Sequence, residues 1–360
     1  MKIIAFHLPQ YHSFPENDAW WGKGFTDWNN VKKAKPLYKD HEQPVVPRND
    51  NYYSMLEVDT LKWQAELAQK YGVYGFCYYH YWFSGKLLME KPIELLLKNK
   101  DIKISYCMCW ANEPWTRAWD GATSEVIMPQ KYGNEKEWRE HIEYLMPFFK
   151  DERYIKIDGC PVFVIYRTES IPRIDSMIEF WNKICKEEGF NGIHIVEELN
   201  GFQTKKYATK SKAILKFQPN YTEKARNILL EKIDRAKSKL RCLRYGVSTS
   251  LYFTSYDRVW KRILKDTKKD SRNNVYPGAF VAWDNTPRKK ERGSIYYGAT
   301  PDKFEYYFSK LVNISSKKKS DFIFINAWNE WAEGAYLEPD KKNKFGYLEV
   351  IKRISTKNEY

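Results

Sequence analysis

The stretch Phe322-Ile-Phe-Ile-Asn-Ala-Trp-Asn-Glu-Trp-Ala-Glu-Gly334 opens on five mostly apolar residues, 322–326, and then breaks into indoles, amides and carboxylates. A short continuous apolar run suits a strand buried on both faces, as in a parallel sheet covered by helices. Where that strand meets solvent, Glu330 and Glu333 stand three residues apart, walled by Trp328, Asn329 and Trp331. Indole faces stack on sugar rings and exclude water. Paired carboxylates in partly apolar surroundings have their pKa values pushed apart, as an acid and a base working together require. The combination suits glycosidic-bond chemistry. The plainer alternative is that both glutamates begin a helix, where acidic side chains favour the positive end of the dipole.

Working back towards the N-terminus, seven more β-rich runs appear, at 2–6, 74–79, 103–110, 161–166, 193–196, 213–217 and 279–283. Amphipathic helical stretches lie between them. Leu61, Ala65, Ala68 and Tyr71 mark one apolar face, stopped by Gly72, and Ile174, Met177, Ile178, Trp181, Ile184 and Cys185 mark another, stopped by Gly189. Strands alternating with helices imply parallel pairing through right-handed crossovers. Eight such units without a linker-like boundary predict one (β/α)8 TIM barrel spanning residues 1–360, with long βα loops at its C-terminal face. A doubly wound sheet is the weaker reading, because no GxGxxG follows the first strand.

At 360 residues the chain can bury a large core, and 43% hydrophobic content fits a folded protein. No run approaches the ~20 apolar residues of a membrane span. The first strand-like run is too short for a secretory signal, so a cytoplasmic location is expected. Six scattered cysteines form no CxxC pair and no disulfide framework. Six histidines show neither HxH nor HExxH spacing, so no metal and no cofactor is expected. The net charge of +14 gathers after residue 200, including 235–244, 261–269 and 288–292. A nucleic-acid partner would want aromatics among those basic residues, and most of the tryptophans lie elsewhere. The basic runs therefore read as solvated helix faces, with an anionic glycan, a phosphate-bearing lipid carrier or peripheral contact with a membrane surface as the alternatives.

Active sites of (β/α)8 barrels form at the C-terminal strand ends, and chemically interesting residues gather there. His7, Gln10 and Tyr11 follow the first strand; Tyr79, His80 and Trp82 follow the second. Trp110, Asn112 and Glu113 follow the third, with Arg117 and Trp119 beyond. Tyr166 ends the fourth, Glu197 the fifth, and Trp283 and Asp284 the seventh. Asn326, Trp328, Asn329 and Trp331 accompany the two glutamates at the eighth. The long segment 13–53, carrying Trp28, is expected to fold over the barrel mouth. Taken singly, each has a structural reading: the tyrosines as helix packing, His80 as a hydrogen-bonded core residue, Asn112-Glu113 as a helix cap.

Five ordered motifs carry a resemblance. They are Phe6-His-Leu-Pro-Gln-Tyr-His12, Trp20-Trp-Gly-Lys-Gly-Phe-Thr-Asp-Trp28, Gly75-Phe-Cys-Tyr-Tyr-His-Tyr-Trp-Phe83, Cys109-Trp-Ala-Asn-Glu113 and Asn326-Ala-Trp-Asn-Glu-Trp-Ala-Glu-Gly334. Together they resemble the WbsX-type proteins called glycosyltransferases, which are related to the glycoside hydrolase family 99 endo-α-mannosidase barrels. The resemblance covers nearly the whole chain, with Pro114 departing from the pattern. It implies a (β/α)8 fold and a part in bacterial surface polysaccharide metabolism, such as O-antigen or capsule. It also implies roles: Glu330 as the base on a sugar 2-hydroxyl and Glu333 as the general acid, through a 1,2-anhydro sugar. Retaining cleavage or transfer of α-manno or α-rhamno bonds follows, on an oligo- or polysaccharide, lipid-linked and anionic forms included. Two other readings stay open: a nucleotide-sugar-dependent transferase, and a catalytically silent glycan-binding barrel.

Overall fold

The computed structural model describes residues 1–116 and 125–357. Its centre is a parallel barrel. Strands β1 (Lys2–His7), β2 (Gly75–Phe83), β3 (Ser105–Trp110), β4 (Cys160–Ile165), β5 (His194–Leu199) and β6 (Ala213–Lys216) pair in sequence order, and β8 (Phe322–Asn326) pairs with β1. The seventh strand is split at Pro277 into β7a (Val275–Tyr276), which pairs with β6, and β7b (Gly278–Phe280), which pairs with β8. The break at the residue without an amide hydrogen lets one short strand complete both neighbours.

The register aligns Ile4 with Gly75 and Phe324, and Cys77 with Cys107, so equivalent levels of the barrel meet. Because strand side chains alternate, one set points inward and the other under the helices. Phe6, Tyr79, Phe217 and Phe324 fill the inside, with Phe6 in ring contact with each of the other three at 5.0–5.9 Å. Helices Val58–Lys70 and Ile174–Glu187 bury the faces expected of them, and Gly72 and Gly189 follow with φ of 80° and 90°.

Three boundaries differ from the sequence reading. β2 runs on to Phe83 and turns back as a hairpin with Lys86–Leu88, because Tyr81 and Phe83 find apolar cover above the barrel rim. β5 extends to Leu199, which puts Glu197 and Glu198 inside the strand. The seventh strand starts earlier and stops at Phe280, leaving Trp283 and Asp284 in the following loop. Segment 13–53 does cover the mouth, with helices Pro15–Trp21 and Asp27–Lys33. A smaller parallel pair, Tyr252–Ser255 with Ser294–Tyr297, lies beside the barrel under helix Ile228–Tyr245.

Candidate active site

After β8 the chain does not start a long helix. Asn329–Glu330 pairs antiparallel with Ala335–Tyr336, and the intervening 3-10 turn Trp331–Glu333 closes on Gly334 at φ 62°. A Cβ at Gly334 would lie 2.8 Å from the Asp284 nitrogen, so both conformation and space require glycine there. This hairpin brings both glutamates into one cavity of about 400 Å³ at the barrel mouth. That volume is within the range of small-molecule sites.

One cation organises the pair. Arg288 Nη2 lies 2.9 Å from Glu330 Oε2, and Nη1 lies 2.8 Å from Glu333 Oε1. The same Nη2 is 2.9 Å from Oδ2 of Asp27, a carboxylate brought by the mouth-covering segment. Burial disfavours the Arg288 charge, but Asp27, Glu330 and Glu333 more than offset it, so its pKa lies above the ordinary arginine range. Burial also pushes Glu330 up to about 8, against the pull of Arg288 and with the help of Glu333 and Asp27. The side chain of Glu333 is 23% exposed and that of Glu330 8%, so the two differ in their access to solvent.

Tyr79, Tyr81, Tyr166, Trp21, Trp115, Phe202 and Phe217 make the walls. Burial keeps the Tyr79, Tyr81 and Tyr166 hydroxyls neutral. Across the cavity Glu113 faces Arg167 at 3.8 Å; burial raises its pKa and Arg167 opposes the rise. Asn112 fixes that wall by accepting from the Arg167 amide and donating to its carbonyl, both at 2.8 Å. Arg117 and Trp119 lie outside the described residues.

A second set of expected residues supports the hairpin without lining the cavity. Asn329 accepts from the Leu8 amide at 2.8 Å and donates to the Leu8 carbonyl at 3.0 Å, tying the first loop to the last. Tyr11 donates to the Asn329 carbonyl, Trp28 donates to Tyr53 O at 2.9 Å, and Trp331 donates to Glu338 at 2.7 Å. Glu338 also accepts from Tyr53 and Gln64, and burial raises its pKa to about 7. Trp328 is fully buried against Phe76. Asn326 donates to the Gln218 carbonyl, and Gln10 reaches Asn17.

Seven expected ligand contacts are corrected by strand parity or loop direction. His7 points under helix Val58–Lys70, where it meets Gln64 at 3.1 Å. His80, Trp82 and Trp110 also point outward, and all three pack around His141: His80 lies 2.9 Å from its ring nitrogen and Trp82 stacks on it. Burial lowers the His80 pKa to about 3. Glu197 is buried outside the barrel, accepting from Thr168, Gln203, Ser211 and the amides of Tyr207 and Ala208. Asp284 accepts from His41 and Gln43 at 2.9 Å, and with Trp283 lines a separate cavity behind the Glu333 turn.

Arg288 and Asp27 are site residues that the sequence reading does not reach, and Tyr81 and Arg167 join the cavity from the strand-end clusters of β2 and β4. Arg288 sits in the basic run 288–292, which reads as solvated, yet its side chain is 3% exposed. Its place a few residues beyond the seventh strand was the available signal. Among the described residues no three His, Cys, Asp or Glu gather as metal ligands.

The chain is thus a parallel (β/α)8 barrel with an arginine-bridged glutamate pair at its C-terminal mouth. The family described as Glycosyltransferase WbsX matches residues 3–351, and the chain belongs to that family. It is 32% identical over 361 residues to the uncharacterized protein WxcX of Xanthomonas campestris pv. campestris strain B100, a match covering 99% of this chain and 50% of that one. The chain thus spans about half the length of the curated relatives it matches. A glycoside hydrolase-like protein of known structure superposes with a TM-score of 0.62 at 13% identity, covering 98% of this chain and 93% of that one. The family 99 endo-α-mannosidase of Bacteroides thetaiotaomicron gives 0.55 at 12% identity, covering 99% and 96%. At these identities the likeness is one of fold.

Proposed function

We propose that this protein is a carbohydrate-active enzyme that cleaves or transfers α-manno- or α-rhamno-configured glycosidic bonds with retention, within bacterial surface polysaccharide metabolism. The observation that carries the reading is the Glu330–Arg288–Glu333 bridge at the floor of an aromatic-walled cavity. Glu330 takes the proton of the sugar 2-hydroxyl while that oxygen attacks C1. Glu333 gives a proton to the departing oxygen as the bond from C1 to it breaks. Water or an acceptor hydroxyl then opens the 1,2-anhydro sugar at C1, Glu333 taking its proton and Glu330 returning one to O2. A base held near pKa 8 is stronger than an ordinary carboxylate, which suits a weakly acidic hydroxyl. The greater exposure of Glu333 suits a group that must meet the incoming nucleophile.

Internal attack needs the 2-hydroxyl anti to the leaving group, which α-manno and α-rhamno sugars provide. The Bacteroides fold relative is an endo-α-mannosidase, which agrees with that stereochemistry. Transfer to a sugar acceptor instead of water would reconcile the chemistry with the family's transferase name. The test incubates the protein with such oligosaccharides, without nucleotide, beside Glu330→Gln and Glu333→Gln. Shortened or rearranged glycans in wild type, lost in both variants, are expected. Product that forms only when a sugar nucleotide is added would overturn the mechanism.

A further inference from the structure

Helix Ile228–Tyr245 is built inside out. Six of the twelve large hydrophobic side chains exposed among the described residues lie on it: Ile228, Leu229, Leu230, Ile233, Leu240 and Leu243. Its inner side is small and polar. Asp234, Ser238 and Cys242 are buried, with Asp234 paired to Arg262 at 2.7 Å and Ser238 accepting from the Phe253 amide at 2.8 Å. At about 100° per residue, Leu229, Ile233, Ala236, Leu240 and Leu243 fall within an arc of roughly 80°, diametrically opposite that buried side. No packing inside the described fold accounts for this stripe, and apolar patches of this kind mark an interaction surface.

The charges around the stripe select the partner. On the same helical projection, Lys232 and Lys239 border one edge and Lys237 and Arg244 the other. The two acids of the helix are both engaged, Glu231 with Arg235 and Asp234 with Arg262. The core of a protein interface is depleted of lysine, and a coiled-coil partner would want acids as well as bases beside the seam. An apolar face framed on both sides by cations that pair with no carboxylate among the described residues is instead the pattern of a helix lying in the plane of an anionic bilayer. We infer that helix Ile228–Tyr245 docks the protein on anionic membrane surfaces, its leucine stripe in the acyl boundary and its lysines at the headgroups. Among the described residues no helix is long and apolar enough to cross a membrane, so the contact is peripheral.

Placement gives the contact a use. The helix starts eight residues after Asn220, which lines the catalytic cavity, and Phe202, 54% exposed, lines the same rim. A barrel held by this helix would work on glycans presented close to the bilayer. The docking itself rests on the stripe and its cations, not on the proposed glycosidic chemistry.

The experiment is flotation of the whole protein with vesicles of phosphatidylcholine alone or with added phosphatidylglycerol, at low and high salt. Light scattering of the free protein runs in parallel. Wild type should float with the anionic vesicles, less at high salt. The double variant Leu240→Glu with Leu243→Glu should stay at the bottom, and Lys237→Glu with Lys239→Glu should bind at least about tenfold more weakly. All four positions are exposed, so unchanged thermal unfolding is expected and would separate lost docking from lost fold. Absence of wild-type binding to anionic vesicles would overturn the inference. So would equal binding to both vesicle types, or a concentration-dependent dimer dispersed by the leucine variant.

Discussion

Nη2 of Arg288 lies 2.9 Å from Oε2 of Glu330, and neither group meets bulk solvent, their side chains being 3% and 8% exposed. Arg288 comes from the loop after the seventh strand and Glu330 from the hairpin after the eighth, so the contact exists only in the closed barrel. The same Nη2 also reaches Asp27 and Nη1 reaches Glu333, so one cation is shared among three carboxylates.

Replacement of Arg288 by lysine is therefore not conservative. An ammonium cannot span Glu330 and Glu333 as the planar fork does. The variant should lose on the order of 10²–10³ in kcat/KM, the scale of removing one preorganised electrostatic donor. Arg288→Met should in addition unfold more easily by about 3–5 kcal/mol, since it strands buried Asp27 and Glu330. Steady-state kinetics and urea titration of the two variants read these effects separately.

Glu333→Gln removes the proton donor but not the base. Cleavage of a natural oligosaccharide should fall by about 10²–10⁴, whereas a substrate with a leaving group that needs no proton should be affected far less. Equal losses on both substrates would exclude Glu333 as the acid.

The pH dependence has two faces. Because the route needs Glu330 ionised and Glu333 protonated together, kcat/KM should trace a bell with one limb near pH 8. Stability follows a different course. The folded pKa of about 8 exceeds the ordinary 4.5, so the folded state holds the extra proton between these values. That contribution is complete below pH 4.5 and is lost as pH rises through 8. Glu330→Gln should show a flatter decline in urea midpoint over this window than wild type.

Parity along β2 separates two neighbours that the sequence presents as equals. Tyr79 faces the cavity, while Trp82 stacks on His141 beneath the helices. Tyr79→Ala should raise KM. Trp82→Ala should cost about 3–5 kcal/mol of stability with KM for folded enzyme near wild type. Thermal melts beside Michaelis curves for the two variants distinguish these outcomes.

The sequence by itself determined the barrel. Eight short apolar runs separated by amphipathic helices leave few other ways to bury every strand on both faces, and the closing glycines and apolar stripes lie where the periodicity puts them. It also located the mouth, because Glu113, Tyr166, Glu330 and Glu333 all follow or end strands and meet in one cavity. Only the tertiary structure decided which side of each strand faces that cavity. A strand that runs three residues past its expected end, as β5 does, carries Glu197 into the helical layer, and His7, His80, Trp82 and Trp110 sit on outward positions for the same reason of alternation. The role of Arg288 was beyond reach for a different reason. A charged side chain reads as solvated until three carboxylates from two distant segments are brought around it, and that closure is a property of the assembled barrel.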